Sequence, residues 1–173
     1  ADTKVEQRTA YWIDRYERKY CSDNQQPAGC LTKVIGKTAV ELVGEELEIR
    51  RFETNLGTYV ADQMRRAFDE VKLPGDKKVQ IALVNSGSLR LNQNIPAGAE
   101  LNQWYINGIF QYPAKLRVIE ISGKTLKAVV DHQIEEWSGV GWWLQSSGIA
   151  FRHDVAAQRV TDLSLVDADG QLT

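Results

Sequence analysis

Stretches with helical periodicity alternate irregularly with apolar, strand-like stretches along this chain, and this alternation restricts the fold more than any other feature. Helices are predicted over residues 4–20, 54–68 and 123–137, with a shorter one within 95–108. Strands are predicted over residues 31–42, 45–52, 77–84, 114–122, 145–154 and 158–171. The 173 residues are 43% hydrophobic, which suffices for one ordinary core. We therefore predict an α+β domain with a mixed β-sheet flanked by helices, preceded by an N-terminal helix.

The first predicted helix has an aromatic face, and the last has an apolar face. Tyr11, Trp12, Tyr16 and Tyr20 recur with Arg15 at three- and four-residue spacings and form an aromatic stripe on the first helix. The favoured interpretation is that this stripe packs on its own domain, and the alternative is a linker helix that contacts a preceding domain. The last helix places its apolar side chains on one side, namely Leu126, Val129, Val130 and Ile134.

Two cysteines, Cys21 and Cys30, bracket the turn-prone sequence SDNQQPAG. A disulfide between them closes a small loop and is the favoured prediction, which indicates an oxidising compartment. The alternative is a pair of unpaired thiols in a cytosolic protein. Two cysteines without a nearby histidine supply too few ligands for a metal site.

The charge and hydropathy of the sequence argue against a nucleic-acid-coating protein and against a membrane helix. The net charge of −2 does not suggest a surface that coats nucleic acid, and no apolar run approaches the roughly 20 residues of a membrane helix. The chain begins ADTKVEQ, with neither an initiator methionine nor a signal peptide. It is expected to be a processed protein or an excised fragment.

The sequence lacks the motifs of a complete enzyme. Its two histidines, His132 and His153, lie in no HExxH or DxH motif, whereas a two-metal hydrolase needs several converging Asp, His and Asn ligands. A GxSxG elbow, a P-loop and a GxGxxG motif are also missing. We predict that the chain by itself contains no catalytic residue and no metal site.

Several groups suit an anionic, partly aromatic ligand. The NSGSLR loop, residues 85–90, follows a predicted strand and offers backbone N–H groups and the Arg90 guanidinium. A second guanidinium, Arg50 or Arg51, precedes a predicted helix whose N-terminus favours anions, with Thr54 or Asn55 as its N-cap. Taken alone, an arginine at either position is more often a solvated surface charge than part of a binding site.

Aromatic residues add to these cations. Tyr112, in FQYPAKL, precedes a proline that fixes the backbone, so that the ring can present a face. Trp142 and Trp143 lie between glycines in GVGWWLQSSG. Such a pair forms either a ligand platform or, as indoles more often do, the edge of a core.

Five segments, taken in order, resemble the C-terminal domain of the 5'-nucleotidase family, which includes UDP-sugar hydrolases and 2',3'-cyclic-nucleotide phosphodiesterases. They are RRFETNLGTYVADQMRRAF, IALVNSGSLR, IPAGAEL, FQYPAKLRVIEISGKTLKAVVDH and LQSSGIAFRHD. The resemblance implies that residues 33–173 form a substrate-binding domain, truncated at its end. It also implies that residues 1–32 hold a linker helix and the cysteine loop. Two divalent metal ions are expected in an N-terminal metallophosphoesterase domain outside this chain.

The resemblance also implies roles for individual residues. Arg50, three residues before Glu53 of the ETNLG motif, corresponds to an arginine that reaches toward the substrate phosphate. Asn85 corresponds to the asparagine that contacts the base, and Arg90 to the arginine that contacts phosphate or ribose. Tyr112 occupies the position of the first aromatic ring that stacks on the base, a contact worth about 1–3 kcal/mol.

This sequence departs from the family's pattern at three places. Ser86 and Ser88 replace two loop glycines, and their side chains either crowd the ligand or add hydrogen bonds. The usual proline-phenylalanine is Gln111-Tyr112, with the proline shifted to Pro113. The second stacking aromatic lies in a GDGF-like segment that this sequence does not reach, and ADG at 168–170 is predicted to be a hairpin turn. A half-complete base sandwich predicts weak affinity for free nucleotide.

Three functions follow as hypotheses. The first is the nucleotide-binding C-terminal domain of a periplasmic or extracellular metallophosphoesterase that hydrolyses phosphate esters, inactive without its metal domain. The second is a non-catalytic module that binds a protein or a non-nucleotide anion. The third is a relative of thiosulfohydrolases that acts on a thiosulfonate carried by a partner protein, for which no base sandwich is needed.

Overall fold

A computed structural model of the chain describes residues 2–112, 114–135, 139–167 and 169–173. In the described residues, helices α1 to α5 span Thr3–Asp23, Glu46–Ile49, Asn55–Arg66, Gln103–Ile109 and Gly123–His132. Strands β1 to β6 span Val34–Lys37, Ala82–Asn85, Glu100–Asn102, Leu144–Ser147, Ile149–Asp154 and Arg159–Leu165. The α+β class is confirmed. The described strands form three antiparallel pairs, β1–β3, β2–β4 and β5–β6, rather than the one mixed sheet predicted.

Helix α1 is exposed over most of its length. The Asp2 side chain caps it by accepting from Lys4 N at 2.9 Å, and Cys21 is its one buried residue. The aromatic stripe packs on the domain only at its C-terminal end, where the Tyr16 ring meets the Trp104 ring edge-on at 5.6 Å. Trp12 is 57% exposed, so packing of the whole stripe is not observed. None of the described helices has the length and apolar character needed to cross a bilayer.

A disulfide joins Cys21, in the last turn of α1, to Cys30. The two Cα atoms lie 5.8 Å apart. Gly29 adopts a φ of +83°, a conformation that favours glycine, just before the second cysteine. The bond therefore fixes the end of α1 against the segment that leads into β1.

Two predicted strands are not observed. Residues 45–52 contain α2 instead, because the Glu45 carboxylate accepts from the N–H groups of Leu47 and Glu48 and starts a helical turn. Residues 114–121 belong to no helix or strand and are exposed throughout. Their alternation of apolar and charged residues is typical of a strand, but no described strand lies beside them to complete a ladder.

Helix α3 begins where the sequence predicts. Thr54 is its N-cap, with Oγ1 accepting from Gly57 N at 3.2 Å, while the Asn55 side chain bonds instead to the backbone of residues 41 and 43. One face of α3 enters the first core cluster together with α2, β2 and α4. Its buried members are Ile49, Leu56, Val60, Ala61, Val84, Leu89 and Ile109.

The second core cluster lies under α5. Leu126, Val130 and Ile134 are buried there with Trp143 and Val160, whereas Val129, predicted on the same face, is 39% exposed. The helix is tied to β6 by Asp131, whose carboxylate accepts from Lys127 Nζ and from Val160 N at 2.9 Å. These two donors hold the pKa of Asp131 below its usual value.

Gly148 separates β4 from β5, and a turn follows β6. At Gly148 the φ is +83° and a Cβ would lie 2.0 Å from the Gln80 carbonyl oxygen, so a side chain cannot be accommodated. After β6, the Gly170 N–H donates to Asp167 O at 3.2 Å, and Val166 bridges Leu172. The turn predicted at 168–170 includes residue 168, which lies outside the described residues.

A buried glutamine on β4 holds the turn between α2 and α3. Gln145 is fully buried, and its Oε1 accepts from Thr54 N at 3.1 Å. Its Nε2 donates to Ile49 O at 2.8 Å and to Phe52 O at 2.7 Å. The amide therefore bonds to three backbone groups at the turn between α2 and α3, and without it Thr54 N and Ile49 O would be buried without partners.

We expect Gln145→Leu to destabilise the domain by about 2–5 kcal/mol, because Thr54 N and Ile49 O lose their partners inside the protein. Urea unfolding followed by circular dichroism measures this. Gln63→Leu, on the exposed side of α3, is the control and should change stability by less than about 0.5 kcal/mol. Equal unfolding midpoints for the two variants would show that the Gln145 amide is not needed.

Reduction of the Cys21–Cys30 bond should lower the free energy of unfolding by about 2–3 kcal/mol, the loop-closure contribution expected for so short a loop. The measurement compares urea unfolding with and without dithiothreitol. A Cys21→Ala/Cys30→Ala double variant should match the reduced protein and show no response to dithiothreitol. An unchanged midpoint on reduction would contradict the assigned role of the bond.

Candidate functional site

The NSGSLR loop is held against a second loop, residues 139–143, which we call the tryptophan loop. Ser86 N donates to Trp143 O at 2.7 Å, and Gly87 N donates to Gly141 O at 2.8 Å. A Cβ on Gly87 would lie 2.9 Å from Gly141 O. The two backbones therefore approach so closely that residue 87 has no room for a side chain, which explains why this position is a glycine.

The two serines of the NSGSLR loop bond to the protein itself. Ser86 is fully buried, and its Oγ lies 3.5 Å from Val140 O. Ser88 Oγ donates to Asn85 Oδ1 at 2.5 Å. Both hydroxyls therefore have partners within the protein, and the effect of the two serines on a ligand stays a prediction.

Asn85, at the end of β2, is exposed and its amide is oriented from both sides. Its Nδ2 donates to Gly141 O at 3.3 Å, while its Oδ1 accepts from Ser88. One amide hydrogen and one oxygen lone pair remain for a ligand. The residue predicted to read a base therefore sits at the junction of the two loops.

Arg90 and Tyr112 are brought together. The Arg90 N–H donates to Ile109 O at 2.9 Å, and its carbonyl accepts from Gln111 Nε2 at 3.2 Å, which fixes the two segments side by side. The Arg90 guanidinium carbon lies 5.6 Å from the centre of the Tyr112 ring, within cation–π range. Tyr112 is 66% exposed, and the predicted contribution of Pro113 falls outside the described residues.

Arg50 belongs to another segment, and no contact recorded among the described residues joins it to Asn85, Arg90 or Tyr112. It ends α2, and its guanidinium pairs with Glu46 Oε1 at 2.6 Å. The guanidinium is thus held by a carboxylate of its own segment. The α2–α3 turn is nevertheless held at the loop's edge of the domain, because Gln145 bonds to that turn and pairs with Val84 across β4 and β2.

The two adjacent tryptophans have different environments. Trp143 is 5% exposed, belongs to the second core cluster and donates from Nε1 to Phe52 O at 3.1 Å. Trp142 is 44% exposed, and its ring stacks on that of His132 with 6.5 Å between centroids. The core interpretation holds for Trp143, whereas Trp142 keeps an accessible ring.

Sequence reasoning missed two contributors to this region. The Gly141 carbonyl orients Asn85, and buried Gln145 supports the α2–α3 turn. Glycines such as Gly141 are compatible with a close backbone approach, but nothing in the local sequence indicates that the partner is the NSGSLR loop. Gln145 gave no signal, because a single glutamine in a predicted strand is normally exposed.

Two surface depressions are formed by residues other than the predicted binding residues. One of about 710 Å³ lies between the end of α1 and the cysteine loop, and one of about 450 Å³ lies at the start of α3 beside Glu53 and Asp62. Neither is lined by Asn85, Arg90 or Tyr112. The described residues contain no group of three or more His, Cys, Asp or Glu side chains that could hold a metal ion.

Comparison with known proteins identifies the family of this domain. The family model described as 5'-nucleotidase, C-terminal domain, matches residues 34–173. Among curated relatives, a 5'-nucleotidase of Diplobatis ommata is 26% identical over 144 residues, and that of Rattus norvegicus is 23% identical over 142. These alignments cover 79% and 78% of this chain, and the chain spans about a quarter of each relative, 25% and 24%.

A solved structure, that of a 5'-nucleotidase precursor from Thermus thermophilus, superposes with a TM-score of 0.73 and 24% identity. The superposition covers 94% of this chain and 30% of that one, and it supports the fold. The family match spans far more than half of the sequence and agrees with the fold. This chain belongs to the 5'-nucleotidase C-terminal domain family.

Proposed function

We propose that this domain binds the nucleotide substrate of a 5'-nucleotidase-type metallophosphoesterase. The Arg90–Tyr112 contact carries this proposal, because it places a guanidinium suited to phosphate beside an exposed ring suited to a base. Asn85 lies on the same loop as Arg90 and offers a donor and an acceptor to the base edge. The curated relatives carry the name 5'-nucleotidase, which fits this ligand class.

Arg50 contributes a second cation in this proposal. Its side chain is 21% exposed and held by Glu46, so a substrate phosphate would compete with that carboxylate for the guanidinium. Bidentate bonds to phosphate suit arginine better than lysine. We assign Arg50 to the phosphate that is to be cleaved, and Arg90 to the ribose or to the same phosphate.

Hydrolysis itself would take place in an N-terminal metallophosphoesterase domain. Two divalent metal ions held there would activate the water that attacks phosphorus. The residues of this chain would bind and orient the ester, and such positioning accounts for a large part of many rate enhancements. We expect this chain alone to release no phosphate from AMP.

The proposal assigns the remaining segments as well. Residues 1–32, with α1 and the cysteine loop, would connect the metal domain to the binding domain at 33–173. The Cys21–Cys30 disulfide favours a periplasmic or extracellular location, because such bonds persist in oxidising compartments.

An NMR titration with AMP, adenosine and inorganic phosphate tests the binding role. We expect AMP to bind more tightly than either fragment, with shifts in the NSGSLR loop. Arg90→Ala should weaken AMP binding by about 10- to 150-fold, the effect of losing a hydrogen bond to a charged group. Arg66→Ala, an exposed arginine of α3, is the matched control and should bind AMP as the unchanged protein does. AMP binding that survives Arg90→Ala, or no preference for AMP over phosphate, would refute the assignment.

The two-domain arrangement has a separate test. The coding sequence upstream of Ala1 should encode DxH, GNHD and GH motifs, because their side chains supply the metal ligands of the family's catalytic domain. Sequencing that region is the direct measurement. An upstream region without these motifs would favour a non-catalytic binding module.

A further inference from the structure

The tryptophan loop is anchored to the NSGSLR loop at several points. Besides the two backbone bonds to Ser86 and Gly87, the Asn85 side chain donates to Gly141 O and Ser86 Oγ lies 3.5 Å from Val140 O. Asn85↔Leu144 is also a pair in the β2–β4 ladder. The position of residue 142 is thus set by the same contacts that set the position of Asn85.

The Trp142 ring is supported on one side and accessible elsewhere. It stacks nearly parallel on His132, with 16° between the planes, and 44% of the residue is exposed. His132 is itself oriented by Glu135, whose Oε2 lies 2.9 Å from Nδ1. An indole held in this way offers a flat apolar surface on the residue that follows Gly141, whose carbonyl accepts from the Asn85 amide.

One face of the Tyr112 ring is covered, although the residue is largely exposed. The Arg90 guanidinium lies over the ring at 5.6 Å, so this cation and a base would have to use opposite faces of the ring. Tyr112 adjoins the Arg90 end of the NSGSLR loop, whereas Trp142 adjoins the Asn85 end. For a base whose edge is bonded by Asn85, the exposed ring next in sequence to the Gly141–Asn85 contact is the candidate stacking surface.

We propose that Trp142 is a specificity-determining residue that stacks on the base of a bound nucleoside monophosphate. This inference rests on the nucleotide-binding role proposed above and adds a residue to that site. Two fixed groups then define the base position: the amide of Asn85 reads its edge, and the indole of Trp142 covers its face. Base–aromatic stacking tolerates any base, so Trp142 selects for the presence of a base and Asn85 for its identity.

The test compares ligands with and without a base. AMP and ribose 5-phosphate are titrated by NMR into the unchanged protein, Trp142→Ala and Trp142→Phe. We expect Trp142→Ala to weaken AMP binding by about 5- to 150-fold, with little change for ribose 5-phosphate. Trp142→Phe keeps an aromatic face and should retain most of the AMP affinity.

Trp104→Ala is the matched control. Trp104 is 42% exposed and packs on Tyr16 of α1, so removing its indole should leave AMP binding unchanged. Urea unfolding of each variant distinguishes a lost contact from a lost fold. Where Trp142→Ala is unstable, Trp142→Leu, which keeps apolar bulk without an aromatic face, should show the same selective loss of AMP binding.

Each other outcome overturns the inference in a recognisable way. Equal AMP affinity in the unchanged protein and Trp142→Ala removes Trp142 from the site and leaves the nucleotide-binding role intact. Equal losses for AMP and ribose 5-phosphate assign Trp142 to loop structure rather than to base stacking. If the unchanged protein binds neither ligand, the proposed function fails, and the role of Trp142 fails with it.

Discussion

The arrangement of this domain depends on one buried amide. Gln145 lies inside the protein with no exposure, and its three hydrogen bonds attach β4 to the turn between α2 and α3. A Cβ on Gly57 would lie 2.1 Å from Gln145 Oε1, so the glycine of the ETNLG motif is required by this glutamine. Because the amide is fully satisfied, its burial specifies one register of these elements at little energetic cost.

The same strand supports the candidate site. β4 pairs with β2, so the NSGSLR loop after β2 and the tryptophan loop before β4 meet at one edge of the domain. Their backbones touch at Gly87 and Gly141, which orients Asn85 without the aid of a ligand. A site that is oriented in advance loses less conformational freedom when a ligand binds.

Sequence patterns and tertiary contacts agree to different degrees along the chain. Helices α1, α3 and α5 are predictable because their caps and apolar spacing are local signals, as with Thr54 at α3. The segment 45–52 has strand-like alternation, yet the Glu45 carboxylate starts a helical turn there. Residues 114–121 have strand-like composition without a neighbouring strand in the described part of the chain, and a strand requires such a neighbour.

The sequence by itself determined the α+β class, the family and the identity of four candidate site residues, because ordered motifs and residue chemistry are written along the chain. Only the tertiary structure decided how those residues relate. It placed Arg90 beside Tyr112 but kept Arg50 with Glu46, and it buried Trp143 while leaving Trp142 exposed. Such differences depend on contacts between segments far apart in sequence, such as Trp143 with Phe52, which no local pattern encodes.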